Sequence, residues 1–183
     1  MRHTYNKLAA AISLSCALTV SAAIADEHKF EVNGAIGQHM FDNDRGIEND
    51  PFWGVGLGYV INPAWTVEAW WTDANTELDN ANTDVDATEI RLDALYHLAE
   101  QNGLTPYIVA GVGEMNFDAG AGDDKETRLN LGMGLKKAIT EKLNFRGDIR
   151  LFNSIDKEMT DVGLQLGLNY ALGASAPKVM DSD

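Results

Sequence analysis

Alternation of apolar and polar residues, in segments of about ten residues, constrains this chain more than any other feature. Successive side chains of a strand point to opposite faces, so a period of two gives each strand one apolar and one polar face. Eight such segments recur, over 30–41, 52–61, from 65 onward, 88–98, 104–117, 127–136, 143–152 and 160–172. In the second, Trp53, Val55, Leu57 and Tyr59 oppose Gly54, Gly56 and Gly58. In the fourth, Ile90, Leu92, Ala94 and Tyr96 oppose Glu89, Arg91, Asp93 and His97. The fifth lacks a clean phase: Tyr107, Val109, Met115 and Phe117 share one face, while Ile108 and Val112 share the other with Glu114. Asn62-Pro63 and Asn102-Gly103 are tight-turn dipeptides. Connections after the first, third and fifth segments (42–50, 73–87 and 118–126) are long and acidic, and those after the second, fourth and sixth are short. This pattern predicts an all-β fold, an eight-stranded antiparallel up-and-down barrel with its long loops at one end.

The N-terminus reads as a targeting segment. Arg2, His3 and Lys7 precede an apolar run over 8–20, and Ala23-Ile24-Ala25 completes a small-residue cleavage pattern. The expected organisation is a signal peptide over 1–25, a barrel over 26–173 and a tail over 174–183. The one cysteine, Cys16, falls in the leader, so the processed chain has no disulfide, no thiolate nucleophile and no Cys-based metal site. The net charge is −14. Loss of Arg2 and Lys7 takes it to about −16, which excludes binding to nucleic acid through phosphates. After the leader no apolar run reaches the ~20 residues of a spanning helix, so a place in a bilayer requires a closed barrel.

Alternation alone leaves two barrels open. A soluble, lipocalin-like carrier puts its apolar face inward, and a transmembrane barrel puts it outward. Three features select lipid. The polar face is glycine-rich (Gly54, Gly56, Gly58, Gly132, Gly134, Gly163, Gly167), which weakens strands but makes room inside a narrow barrel. That face also carries both charge signs, and opposite charges in a closed lumen can pair. Finally, Phe30, Trp53, Tyr59, Trp65, Tyr107, Phe117, Phe145 and Tyr170 sit near strand ends, as in two interfacial girdles.

The expected lumen network is Glu68, Arg91, Asp93, Glu114, Arg128, Arg146, Asp148 and Arg150, with His97 as a further candidate. An eight-stranded barrel is nearly filled by its own side chains, so a structural or narrow porin-like role is expected. Catalysis needs a nucleophile beside a base. The processed chain offers only Ser154, Ser175 and Ser182, with His28, His39 and His97 and no Ser–His constellation, so no enzyme activity and no cofactor are expected. A surface adhesin or ligand-binding barrel is the third reading. It rests on acidic loops that include Asp79, Asp84 and Asp86, and Asp42-Asn43-Asp44 lacks the later ligand spacing of a calcium loop.

Gln165, Gly167, Tyr170 and Leu172 in the last segment resemble the β-signal by which outer-membrane barrels are recognised for assembly. The turn Asn62-Pro63-Ala64-Trp65 with Val67-Glu68, and the run Thr105-Pro106-Tyr107-Ile108-Val109-Ala110-Gly111-Val112-Gly113, resemble the N-terminal barrel of the OmpA/OprF family. The resemblance spans roughly 30–172. It implies residence in the outer membrane of a Gram-negative bacterium, outer-membrane lipids, lipopolysaccharide and the barrel-assembly machinery as partners, a monomeric state, and a charged lumen able to act as a gate. Ala176-Pro177-Lys178 through Asp181-Ser182-Asp183 resembles the start of the Asp-rich linker that leads to a peptidoglycan-binding domain in OprF-like proteins. That domain is absent from this sequence, so peptidoglycan is a partner only if the natural chain continues.

Overall fold

The computed structural model describes residues 30–40, 51–77, 84–118, 123–157 and 159–172. They form eight strands: β1 (Phe30–Met40), β2 (Pro51–Asn62), β3 (Trp65–Glu77), β4 (Asp84–His97), β5 (Leu104–Asp118), β6 (Asp123–Ala138), β7 (Leu143–Ser154) and β8 (Thr160–Leu172). Each pairs antiparallel with its sequence neighbour, and β1 pairs with β8 to close the barrel. The leader, the segment 41–50, Asp79 and the tail lie outside the described residues.

The register fixes the barrel's dimensions. A walk straight across the ladders from Phe30 passes Tyr59, Val67, Ala94, Ala110, Leu131, Leu151 and Val162. It returns to β1 at Met40, ten residues along from where it began. With ordinary strand spacing and rise, that stagger over eight strands gives a tilt of about 40° and a backbone radius of about 8 Å. At that tilt about ten residues cross an apolar band ~25 Å tall. β1, at 11 residues, barely exceeds that length, whereas β5 and β6 have 15 and 16.

The surplus lies at the long-loop end, where β3 to β6 project as one four-stranded wall. This corrects the expected loop boundaries. Glu77 pairs with Asp84 and Asp118 with Asp123, so much of 73–87 and 118–126 is ladder, Asp84 and Asp86 included. The hairpins stay paired until the chain must turn.

The short connections have defined chemistry. Asn62 Oδ1 accepts from the backbone N–H of Ala64 (2.9 Å) and Trp65 (3.0 Å), mimicking a backbone turn. Asn102 and Gly103 both have positive φ (54° and 77°), the geometry of the favoured two-residue hairpin turn.

The apolar face is on the outside. Ile36 is 67% exposed, Met133 66% and Ile90 65%, while Glu68, Arg146 and Asn169 are fully buried. A water-soluble carrier has the opposite polarity, so the lipocalin-like alternative is overturned. Among the described residues no helix is long and apolar enough to cross a membrane.

The outer aromatics pair across strands at two levels. Phe30 meets Tyr59 (ring centroids 5.1 Å apart) and Trp65 meets Tyr96 (5.0 Å) near the short turns, and Trp53 meets Trp71 (5.1 Å) near the long loops. Tyr107 and Phe117, expected in these girdles, are instead buried inside the barrel.

Candidate functional site

The fifth strand decides the lumen's composition. Gly111 and Gly113 occupy its inward face, in phase with Tyr107, Val109, Met115 and Phe117. A Cβ at Gly111 would overlap the Asp93 carboxylate. Glu114 therefore points outward, which corrects its expected place in the lumen. It meets Lys125 at 3.0 Å, and both side chains are 61% exposed. The other predicted network residues are brought together inside the barrel.

They form two linked clusters. Near the short turns, Arg146 Nη1 donates to both Glu68 oxygens, at 2.7 and 2.9 Å. Arg146 Nη2 lies 3.3 Å from Asp148, whose other oxygen accepts from Arg150 Nε at 2.7 Å. Tyr107 donates its hydroxyl proton to Asp148 at 2.5 Å and accepts from Arg146 Nε at 3.3 Å. Higher up, Arg91 donates to Asp93 (3.0 Å), Glu89 (3.0 Å) and Gln165 (2.9 Å). Arg150 joins the clusters, since its Nη1 also reaches Asp93 at 2.6 Å.

Two of these contacts cross the barrel. β3 and β7 are four strands apart in a ring of eight, as are β4 and β8. Glu68–Arg146 and Arg91–Gln165 are therefore bridges between opposite walls, at different heights. The buried Glu68–Arg146 ion pair does not by itself add much stability, but removing either partner strands a charge, so each holds the other in place, whereas Gln165 is a neutral acceptor for an Arg91 already paired with Glu89 and Asp93.

Several lumen residues were missed in the sequence reading. Glu89 and Asp161 flank Arg128, at 3.6 and 3.4 Å, and Lys136 lies 3.7 Å from Glu31. Their phase already put these residues on the polar face. Arg128 also contacts the Met115 sulfur and lies over the Phe152 ring, 4.3 Å from its centroid. On that side Phe52, Ala74, Ala87, Met115 and Phe117 form an apolar cluster at the long-loop end of the lumen. His97 stands at the short-turn end of the lumen, half-buried, its ring 5.9 Å from Tyr107.

The largest omission is Trp70, which is inward and buried. Its indole N–H donates to Glu68 at 2.9 Å, and its ring lies beside Arg91 (5.3 Å) and Arg146 (5.7 Å). The signal that places it is on β2: a Cβ at Gly56 would meet the ring at 2.7 and 2.9 Å, so glycine there leaves room for the indole.

The residues that resemble a β-signal divide by face. Tyr170 points to lipid and Gln165 into the lumen, where Gly167 shares its phase, and Leu172 pairs with Phe30 at the closing seam.

Similar solved structures are outer-membrane barrels. Neisserial surface protein A superposes with a TM-score of 0.65 at 18% identity, covering 78% of this chain and 96% of that one. The N-terminal barrel of OprF from Pseudomonas aeruginosa gives 0.53 at 21% identity, covering 76% and 97%. OprG from the same organism gives 0.57 at 15%, covering 82% and 98%. No curated protein matches the chain in sequence. The model of the family described as outer membrane protein beta-barrel domain matches residues 8–171. The chain belongs to that outer-membrane β-barrel family.

Proposed function

We propose that this protein is a barrel whose role is structural, with a lumen closed by the buried side chains that cross it. The observation that carries the reading is the pair of bridges between opposite walls, Glu68–Arg146 and Arg91–Gln165. With a backbone radius of about 8 Å, little space remains beside two such crossings. In the narrow-pore variant of this reading, Arg146 exchanges between Glu68 and Asp148 and lets water past.

A non-enzymatic role fits the described chemistry: the Ser154 hydroxyl is buried out of reach of a substrate, with its proton donated to Glu126 at 2.6 Å. We also place the processed chain in the Gram-negative outer membrane as a monomer, exported by its leader and inserted through the barrel-assembly machinery. Its outer face would then meet lipopolysaccharide.

The test is planar-bilayer recording on the refolded chain, with folding checked by a mobility shift between unboiled and boiled samples on a denaturing gel. A folded barrel that gives no steps in potassium chloride supports the closed structural reading. Frequent small steps support the narrow pore. A chain that folds in plain buffer without the gel shift would overturn the membrane placement.

A further inference from the structure

Trp70 is the largest buried side chain among the described residues, and it stands on the polar face of its strand between Glu68 and Thr72. Outer-barrel packing does not need an indole there. Four contacts fix where the ring lies. Its N–H is tied to Glu68. Gly56 on β2 yields the space behind it. Arg146, reaching over from the opposite wall, comes within 5.7 Å of the ring, while Arg91 from the neighbouring strand comes within 5.3 Å. These two arginines are the cations of the two cross-barrel bridges, so the ring occupies the lumen between them.

The bridges and the ring differ in how they can give way. A guanidinium flanked by two carboxylates can pass from one to the other, as Arg146 can between Glu68 and Asp148, and its charge remains satisfied. An indole plate has no such exchange. Moving it aside needs a rotamer change in a space walled by Arg91 and Arg146.

We propose that Trp70, not the Glu68–Arg146 pair, is the permeation barrier: an apolar plate wedged between the two bridges that keeps the lumen blocked even when the ion pair opens. The assignment rests on the reading of the lumen as closed.

The experiment compares the parent chain with Glu68→Gln, Trp70→Phe, Trp70→Ala and Trp70→Leu in planar bilayers, each shown to be folded by the gel shift. Trp70→Leu carries the test if the alanine variant does not fold. Trp70→Ala, and to a lesser degree Trp70→Leu, should convert a silent barrel into one with resolvable conductance steps. Glu68→Gln and Trp70→Phe should stay silent, because a plate remains in place. Folded Trp70→Ala or Trp70→Leu barrels that stay silent would overturn the proposal, as would Glu68→Gln conducting as well as they do. A conducting parent would overturn the closed reading and the assignment with it, whereas a silent parent with silent, folded Trp70→Ala and Trp70→Leu barrels would overturn the assignment and leave the closed reading standing.

Discussion

Glu68→Gln isolates one buried charge at constant volume. The carboxylate takes two hydrogen bonds from Arg146 (2.7 and 2.9 Å), one from Trp70 (2.9 Å) and one from Asn33 (3.3 Å). The amide keeps one acceptor oxygen and turns an N–H₂ toward those donors. Arg146 is then a buried cation whose nearest carboxylate is Asp148, at 3.3 Å. Removing one partner of a buried pair costs about 3–5 kcal/mol, and the surviving Asp148 contact places this case near the lower end, about 3 kcal/mol. Urea unfolding of the barrel in phospholipid vesicles, followed by tryptophan fluorescence and gel mobility, measures the change. Adding Arg146→Met completes a double-mutant cycle. Trp70 sits in both the contact and the optical signal, so the gel readout must agree with the fluorescence. A loss below 1 kcal/mol, or no coupling between the two positions, would refute the claim that this bridge is desolvated and shared by opposite walls.

Three further outcomes test the same geometry. Lys125→Ala should cost no more than about 1 kcal/mol in the same titration, because its 3.0 Å pair with Glu114 is exposed on both sides. Gly56→Ala should cost about 1–3 kcal/mol, since the new methyl meets the Trp70 ring at 2.7 Å, whereas Gly34→Ala, with nothing within 4 Å, should be neutral. Tyr107→Phe removes the 2.5 Å hydrogen bond to Asp148 and should lower the urea midpoint by the equivalent of about 1.5–3 kcal/mol; an unchanged midpoint would mean that water replaces the hydroxyl at no cost.

Strand number, direction and facing were legible wherever one face was uniformly polar. β2 and β4 show why: glycines or charges on one side leave a single phase possible. β5 failed because both of its faces are largely apolar. Val109 packs inside with Leu95 and Tyr107, and Met115 with the apolar cluster at the long-loop end of the lumen, while Ile108 and Val112 face lipid. Only the neighbours resolve it, because Gly111 and Gly113 sit against Asp93 and Arg91. The same limit hid Trp70. An aromatic on a polar face has no local signal, and its place depends on a glycine one strand away. The partners within the network were illegible for a related reason. Glu68 and Arg146 lie 78 residues apart, and their meeting follows from the stagger of the closed ring.

The closing seam has a consequence for the order of assembly. β1 and β8 pair along all eleven residues of β1, from Phe30 with Leu172 to Met40 with Val162. Every other ladder joins strands adjacent in sequence, but this one waits for the chain's last strand. Until then β1 offers an unpaired edge, a template for any other strand it meets. High sequence separation makes such pairing slow, since loop-closure entropy is lost before the contacts form. Asn169 contributes to the selectivity of the seam: its side chain donates to Glu31 and to Asn33, both at 2.7 Å, and a one-residue slip would turn it out toward lipid. The barrel thus carries, on its final strand, a polar check that its two ends have met in the correct register.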